Sequence, residues 1–386
     1  MVNRSKRKKQ SASVTQEIVV EIEKPTKFTN HDEAISGKIQ IKPARIDWWL
    51  VGGFISLLMV VMVVSLTVWW YLSTFERAAG VPAMTMIQKV REGSQYDPFS
   101  TEGVMTIAIL GLDRIQNRGD DPVLTDTMII AQIRKDGQIW LLSLPRDLWV
   151  EAEKTKINAL YTLGEENQVG GGEVLVKRVL REITGMPIDY VIVLEVKSVA
   201  AVVDALGGIE LEVPRGFVDE KYPRENVDLN SQDPNVLYET FSVVAGRQKF
   251  DGETVVKYLR SRHSQDPIEG SDVGRMQRQQ LVIAAIMDSL KQKDLLMNPK
   301  MIGSLYKVWH TMVVTKLNDE TLIGAARQLV MKQVHIKPIA ISAKNGADPG
   351  ILKTVTKNRY GLWVYEPIDS SWAALQQYIK NQMATN

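Results

Sequence analysis

Cysteine is absent from the 386 residues. That excludes disulfide scaffolds, cysteine-ligated zinc sites and thiol catalysis. It fixes no compartment, but it suits a domain that works outside a bacterial membrane without oxidative help. Histidine is nearly as scarce: four are scattered along the chain, and only His263 stands among other polar candidates. There is no nucleophile elbow, Walker loop, metalloprotease helix or dinucleotide fingerprint. An excess of one charge is lacking too, the formal net charge being +2. Residues 1–45 hold ten Lys/Arg against five acids, so the remainder is close to neutral. The bulk of the chain is therefore no general nucleic-acid binder, and nonspecific polyanion attraction belongs to the short tail. With 45% hydrophobic and 24% charged residues, a disordered chain, a collagen-like fibre and a multi-span transporter are also excluded.

What is present first is a long apolar run. Between Asp47 and Glu76 no residue carries a charge: WWLVGGFISLLMVVMVVSLTVWWYLSTF. About 20 apolar residues cross a hydrocarbon core of roughly 30 Å. The pairs Trp48-Trp49 and Trp69-Trp70 lie about 31 Å apart on a helix. Indole rings favour the headgroup level, so this spacing predicts one transmembrane helix over 48–72. The run starts too far into the chain and is too long for a cleaved signal peptide. Basic residues flanking it are tied, with Lys38, Lys42 and Arg45 against Arg77, Lys89 and Arg91. The further run Arg4, Lys6, Arg7, Lys8 and Lys9 breaks the tie and predicts a cytoplasmic, flexible tail over 1–45. That run can also touch anionic headgroups. Residues 73–100 read as a linker to a large extracytoplasmic domain over 101–386.

Within that domain strand and helix patterns alternate. TIAIL (106–110), TMIIAQI (127–133) and QIWLLSL (138–144) are apolar runs of strand length, and Lys135-Asp136-Gly137 is a hairpin signal between the last two. GGGEVLVKRVLREITG (170–185) has helical spacing with Gly185 as a stop. YVIVLEV (190–196) and IELEV (209–213) read as strands around a helix at 198–208. A long helix follows over 272–292, with Asp272 as a possible cap. Further elements are a helix at 319–329, a strand at 339–341 and a last helix from Ser371. The expectation is an α/β layered domain with a central mixed β-sheet flanked by helices, its core over 101–292 and its completion over 293–386.

The chemistry gathers at the ends of these runs. Asp113 closes the first strand, Asp126 precedes the second, and Arg146-Asp147 follow the third. Ligands of α/β sheets bind at strand ends. Arg260 and Arg262 are two apart, so in an extended segment both point the same way. Arg275 and Gln279 share one face near the start of the long helix, where the helix dipole favours anions. Carboxylates with several guanidinium groups suit a divalent metal plus phosphate oxygens. Surface salt bridges would produce the same pattern. Gly170-Gly171-Gly172 could cradle a phosphate, or simply lead flexibly into the helix.

In order, GLD (111–113), TDTMII (125–130), LSLPRD (142–147), KINALY (156–161), Gly171-Gly172, DALGGIELEVP (204–214), YLRSRH (258–263) and SDVGRMQRQQ (271–280) resemble the LytR-CpsA-Psr domain. The resemblance covers roughly 101–292, and the anchor ahead of it also fits. It implies a transferase that moves a glycopolymer from a polyprenyl-pyrophosphate carrier to a wall sugar hydroxyl, in peptidoglycan for the usual member, leaving a phosphodiester. It further implies Mg²⁺, with Mn²⁺ able to substitute, held by Asp113 and Asp126. Arg146, Arg260, Arg262, Arg275 and Gln279 would bind the pyrophosphate, and an apolar pocket would take the prenyl chain. Either Asp113 or Asp147 would accept the proton of the attacking hydroxyl. The family's arginine two residues before the second aspartate is Leu124 here, with Arg114 and Arg118 as candidate replacements. The same site could serve a polyprenyl-pyrophosphate hydrolase, and Leu124 favours a non-catalytic lipid-binding regulator as a third reading.

Overall fold

A computed structural model describes residues 47–112, 123–224, 227–228, 230–291, 295, 297–330, 332–341 and 351–384. The tail 1–45, and with it Arg4–Lys9, lies outside them, as do Asp113, Arg114 and Arg118. The chain divides into two units, 1–60 and 61–386. The described residues of the first are the opening turns of helix α1 (Trp48–Ala79). This helix is long and apolar enough to cross a membrane, and none of its most apolar window is buried among the described residues.

The stretch 73–100, expected to be a linker, is largely helical. Helix α1 continues to Ala79, and α2 (Ala83–Gly93) follows after three residues. The reason is apolar contact: Phe75, Ala79 and Ala83 are buried together with Ile302 and Tyr306 packed on them.

Strands β1 (Val104–Leu112), β2 (Thr125–Arg134) and β3 (Gln138–Ser143) form an antiparallel meander, turning at Gly137 as the hairpin signal predicts. Helices α3 (Leu160–Asn167) and α4 (Gly171–Thr184) lead to β4 (Tyr190–Glu195), parallel to β1. Helix α5 (Val196–Ala205) then opens a second region. Its strands are β5 (Ile209–Val213), β6 (Phe217–Pro223), β7 (Tyr238–Val243) and β8 (Gly246–Phe250). They pair as β5 with β8 and β6 with β7, outside the main sheet. Helices α6 (Gly252–Arg260) and α7 (Asp272–Leu290) close this region. Helix α8 (Pro299–Met312), strand β9 (Val313–Thr315), helix α9 (Asp319–Val330) and strand β10 (His335–Ala340) return to the sheet. A hairpin of β11 (Leu352–Val355) and β12 (Val364–Pro367) precedes the last helix, α10 (Ala373–Ala384).

The main sheet runs β9-β4-β1-β2-β3-β10 and is mixed, with two parallel and three antiparallel pairings. Both of its faces are covered, which is why its strands read as unbroken apolar runs. Leu110, Ile130 and Leu142 point to α4, whose Val176, Val179 and Leu180 are fully buried. Ile129, Ala131 and Leu141 face the other way, toward Ile283 and Met287 of α7. Each such side chain contributes about 1.5–3 kcal/mol by leaving water. A second core lies around Phe217, Phe250, Val255 and Tyr258 and takes Val282 and Ala285 from α7. One helix therefore serves both cores, and its N-terminal turns lie where they meet.

Candidate active site

Asp126 owes its position to a break in strand pairing. Thr127 pairs with Gly111 and Thr125 with Leu112, so Asp126 is the extra residue of a β-bulge, a device that re-aims a side chain at a sheet end. Gly111 allows this approach, since a Cβ there would lie 2.8 Å from the Thr127 Cβ. Arg146 follows β3 through Pro145 and donates to Asp126 Oδ1 at 2.7 Å. Arg262 donates to Oδ2 at 2.5 Å. Burial alone would raise the Asp126 pKa, but Arg262 and Arg146 outweigh it and hold the carboxyl below its ordinary range. Asp147 accepts from Lys156 Nζ at 2.5 Å and lies 3.4 Å from Arg146 Nε, so it braces the loop that carries Arg146.

The arginine pair departs from the extended arrangement expected for it. Arg260 is the last residue of α6 and Ser261 is its cap, so the two arginines belong to different local structures. The apolar face of 252–260, with Val255 and Tyr258 buried, keeps the helix going up to Arg260. Arg262 reaches Asp126, whereas half-buried Arg260 is not among the residues lining the cavity described next.

Two buried groups hold this turn. Asp219 is fully buried, and its Oδ2 accepts from Ser261 Oγ at 2.5 Å, Arg262 N at 2.9 Å and His263 N at 3.1 Å. Burial acts to raise its pKa, but the Ser261 hydroxyl and the His263 and Arg262 amides prevail and lower it. Arg278, 2% exposed, donates to the carbonyls of Tyr258 at 3.0 Å, Ser261 at 2.6 Å and Glu269 at 2.8 Å, and to Glu269 Oε2 at 2.7 Å.

Ser271, rather than Asp272, caps α7: its hydroxyl accepts from Gly274 N at 3.1 Å. Asp272, freed from capping, pairs with Arg275 Nη2 at 3.0 Å. Arg275 and Gln279 line a cavity of about 10 Å³ with Asp126, Arg146, Asp147 and Tyr365, room for roughly one water. Gln279 Nε2 donates to Thr127 Oγ1 at 2.7 Å. The buried Nε atoms of Arg146 and Arg275 make no hydrogen bond. Burial, and then the charge of Arg262, lower the Arg275 pKa to about 10. Tyr365 is pushed up to about 12 by burial and by Asp272 and Asp147. The space fits one anion oxygen, which could accept from an orphaned Nε and relieve the mutual repulsion of the arginines.

The glycine run is not such a site. Glu165 accepts from Gly170 N and Gly172 N, each at 3.0 Å, so the α4 N-terminus is already capped. Gly171 and Gly172 are required because a Cβ on either would fall within 2.6 Å of α3 backbone.

The structure thus gathers Asp126, Arg146, Asp147, Arg262, Arg275 and Gln279 around one point. Sequence reasoning missed Asp219, Arg278, Lys156 and Tyr365 as supporting groups. Lys156 and Arg278 stand inside the motifs KINALY and SDVGRMQRQQ, but FVDEKYP around Asp219 carries no such signal. Leu124 is half-buried, and its candidate replacements lie outside the described residues. Among the described residues no group of three metal-ligating side chains occurs. Asp126 offers the ionised hard oxygens that Mg²⁺ requires, but each now holds an arginine, so a metal fits only by exchange with one of them.

A family model described as the LytR_cpsA_psr family matches residues 72–379. The chain belongs to the LytR-CpsA-Psr family. Among curated relatives, this LytR-CpsA-Psr protein is 28% identical over 265 residues to the probable cell wall biosynthesis protein LcpB of Corynebacterium glutamicum, covering 68% of this chain and 56% of that protein. It is 26% identical over 207 residues to the polyisoprenyl-teichoic acid–peptidoglycan teichoic acid transferase TagT of Bacillus subtilis, covering 53% of this chain and 58% of TagT. The matched stretches thus span less than two thirds of either relative. The crystal structure of B. subtilis TagV superposes with a TM-score of 0.51 at 17% identity over 74% of this chain and all of that one, a likeness of fold.

Proposed function

We propose that this chain is a membrane-anchored phosphotransferase. It moves a glycopolymer from a polyprenyl-pyrophosphate carrier to a sugar hydroxyl of the wall, in peptidoglycan, and leaves a phosphodiester. The observation that carries this reading is the cavity lined by Arg146 and Arg275, whose buried Nε donors are unsatisfied, with Arg262 held beside it on Asp126. The names of LcpB and TagT point the same way.

In the proposed reaction, Arg146, Arg262 and Arg275 grip the pyrophosphate, and Gln279 and Arg260 add contacts at its edge. The acceptor oxygen attacks the polymer-side phosphorus, the bridging P–O bond breaks, and prenyl phosphate departs. The arginines stabilise the charge that builds on the leaving phosphate. Asp113 accepts the proton of the acceptor hydroxyl, since Asp147 is engaged by Lys156. Asp126 and Asp113 would hold Mg²⁺ or Mn²⁺, which supplies further charge neutralisation; Arg118 would serve in place of the arginine that Leu124 replaces. The α1 helix keeps the enzyme beside its lipid donor, with the tail cytoplasmic and the large domain outside, which raises their effective concentration.

The test uses the full chain, a polyprenyl-pyrophosphate glycan and wall glycan with Mg²⁺. Polymer joined to glycan through phosphate, with prenyl phosphate released, is expected. Release without joining would make the chain a hydrolase, and binding without turnover would make it a regulator. Protease added to intact protoplasts should remove 78–386 and spare the tail; the reverse would overturn the orientation.

A further inference from the structure

Helix α2 carries an apolar stripe that no other described residue covers. Its inner face is accounted for. Ala83 is buried against Phe75 and Ala79, Met86 packs on the same cluster, Lys89 pairs with Asp319 at 2.5 Å, and Gly93 abuts Ile323. The outer face presents Met84 at 72% exposure, Ile87 at 48% and Val90 at 44%, followed by exposed Arg91. Met84, Ile87 and Arg91 are spaced i, i+3, i+7 and form one stripe along the helix.

The position of this stripe says what covers it. Glu76 Oε1 accepts from Ala83 N at 2.9 Å, which ties the start of α2 to a fixed point on α1. Glu76 is six residues beyond Trp70, or about 9 Å along the helix. Trp69-Trp70 mark the headgroup level at that end of the apolar span. The polar layer on each side of a bilayer is roughly 5–7 Å thick. The start of α2 is therefore held a few ångströms beyond that layer, close enough for the long side chains of an amphipathic helix to reach the headgroups and their phosphates.

We propose that α2 is a second membrane contact. Met84, Ile87 and Val90 enter the headgroup region of the leaflet on the Trp69-Trp70 side, with Arg91 on the phosphates. This contact would set the height of the large domain above the lipid that carries its donor. The proposal rests on α1 spanning the bilayer.

The absence of cysteine allows single-site labelling of the full chain. An environment-sensitive fluorophore is placed at Val61→Cys in the span, Ile87→Cys on the stripe, or Val244→Cys, 68% exposed, as the aqueous reference. Each is reconstituted in vesicles of phosphatidylethanolamine and phosphatidylglycerol containing spin-labelled lipids. The Ile87 label should be quenched by lipids spin-labelled near the headgroup at least twofold more than the Val244 label. The Val61 label should be quenched best by lipids labelled near the chain ends. Quenching of Ile87 at the Val244 level while Val61 is quenched would overturn the contact and leave the span standing. Val61 at the Val244 level would overturn both. In the Met84→Ser/Ile87→Ser chain, KM for a donor embedded in vesicles should rise about tenfold, and KM for a short-chain soluble donor should not. No change with either donor, or an equal rise with both, would overturn it.

Discussion

Among the described residues, the glycine-rich start of α4 and the arginine cavity at the meeting of the two cores both present donors suited to an anion. At α4 the free amides have a partner inside the fold, because Glu165 accepts from Gly170 and Gly172. At the cavity, Asp126 is shared by Arg146 and Arg262, while Nε of Arg146 and of Arg275 stay unsatisfied and buried. The first arrangement is finished as it stands. The second is finished only by something brought from outside, and that difference, more than the number of donors, marks a binding site.

The comparison breaks most sharply at Asp126. Replacing it by alanine leaves the guanidinium groups of Arg146 and Arg262 together without their shared carboxylate. Transfer should collapse, with a stability loss of about 2–4 kcal/mol, read by denaturant unfolding. Wild-type transfer in this variant would remove Asp126 from the site. Acid should act in the same direction. The Asp126 pKa is depressed in the folded state, so its contribution is present above the unfolded value of about 3.9 and is lost as pH falls through the lower folded value. An unfolding series from pH 6 to pH 2 should show part of the acid sensitivity disappearing in the alanine variant.

Asp219 sharpens the comparison from behind the site. Asp219→Asn puts an amide where a carboxylate faces four donors, the Lys221 amide included. A loss of about 1–3 kcal/mol is expected. KM for the donor should rise roughly tenfold and kcat change less, as the turn bearing Arg262 loosens. A purely structural role would lower stability and leave KM where it was.

How much of this could be read beforehand depends on the residue. Asp126 and Arg146 stand at the ends of apolar runs, and a strand end is a place that alternation and turn signals locate. Gln279 follows Arg275 by one helical turn, so their shared face needed only the periodicity. Asp219 gave no such sign, because apart from the Lys221 amide its partners are backbone amides and a hydroxyl more than forty residues away. Arg260 and Arg262 misled, since a two-residue spacing has meaning only once the local backbone is known.

Arg275→Met tests the sign of the argument. The wild-type guanidinium is buried beside two other cations and has a pKa lowered to about 10. Below that value its charge counts against the folded state, an effect relieved as pH rises through about 10. The methionine variant should therefore be more stable at pH 7, by on the order of 1 kcal/mol, while losing transfer. Inorganic pyrophosphate should raise the melting temperature of the wild type and not of the variant. A less stable variant would mean that the cavity is satisfied without an anion.

The smallest effect belongs to the other region. Glu165→Ala removes the α4 cap and should cost about 0.5–2 kcal/mol. Transfer and the pyrophosphate-induced rise in melting temperature should stay at wild-type level. A loss of pyrophosphate response here would make the glycine run part of the site.

By itself the sequence determined the apolar helix, the alternation of strands and helices, the hairpin at Gly137 and the residue types that can hold phosphate. These follow from local rules: length of an apolar run, its period, and the turn residues that interrupt it. Only the tertiary structure decided which charged groups meet. Asp126 and Arg262 are 136 residues apart in the chain yet share a 2.5 Å contact, set by a bulge in one strand, the end of one helix and the packing of α7 against both cores. A charge that is solvated and one that awaits a ligand are identical in sequence. They differ in whether the folded protein has already supplied a partner.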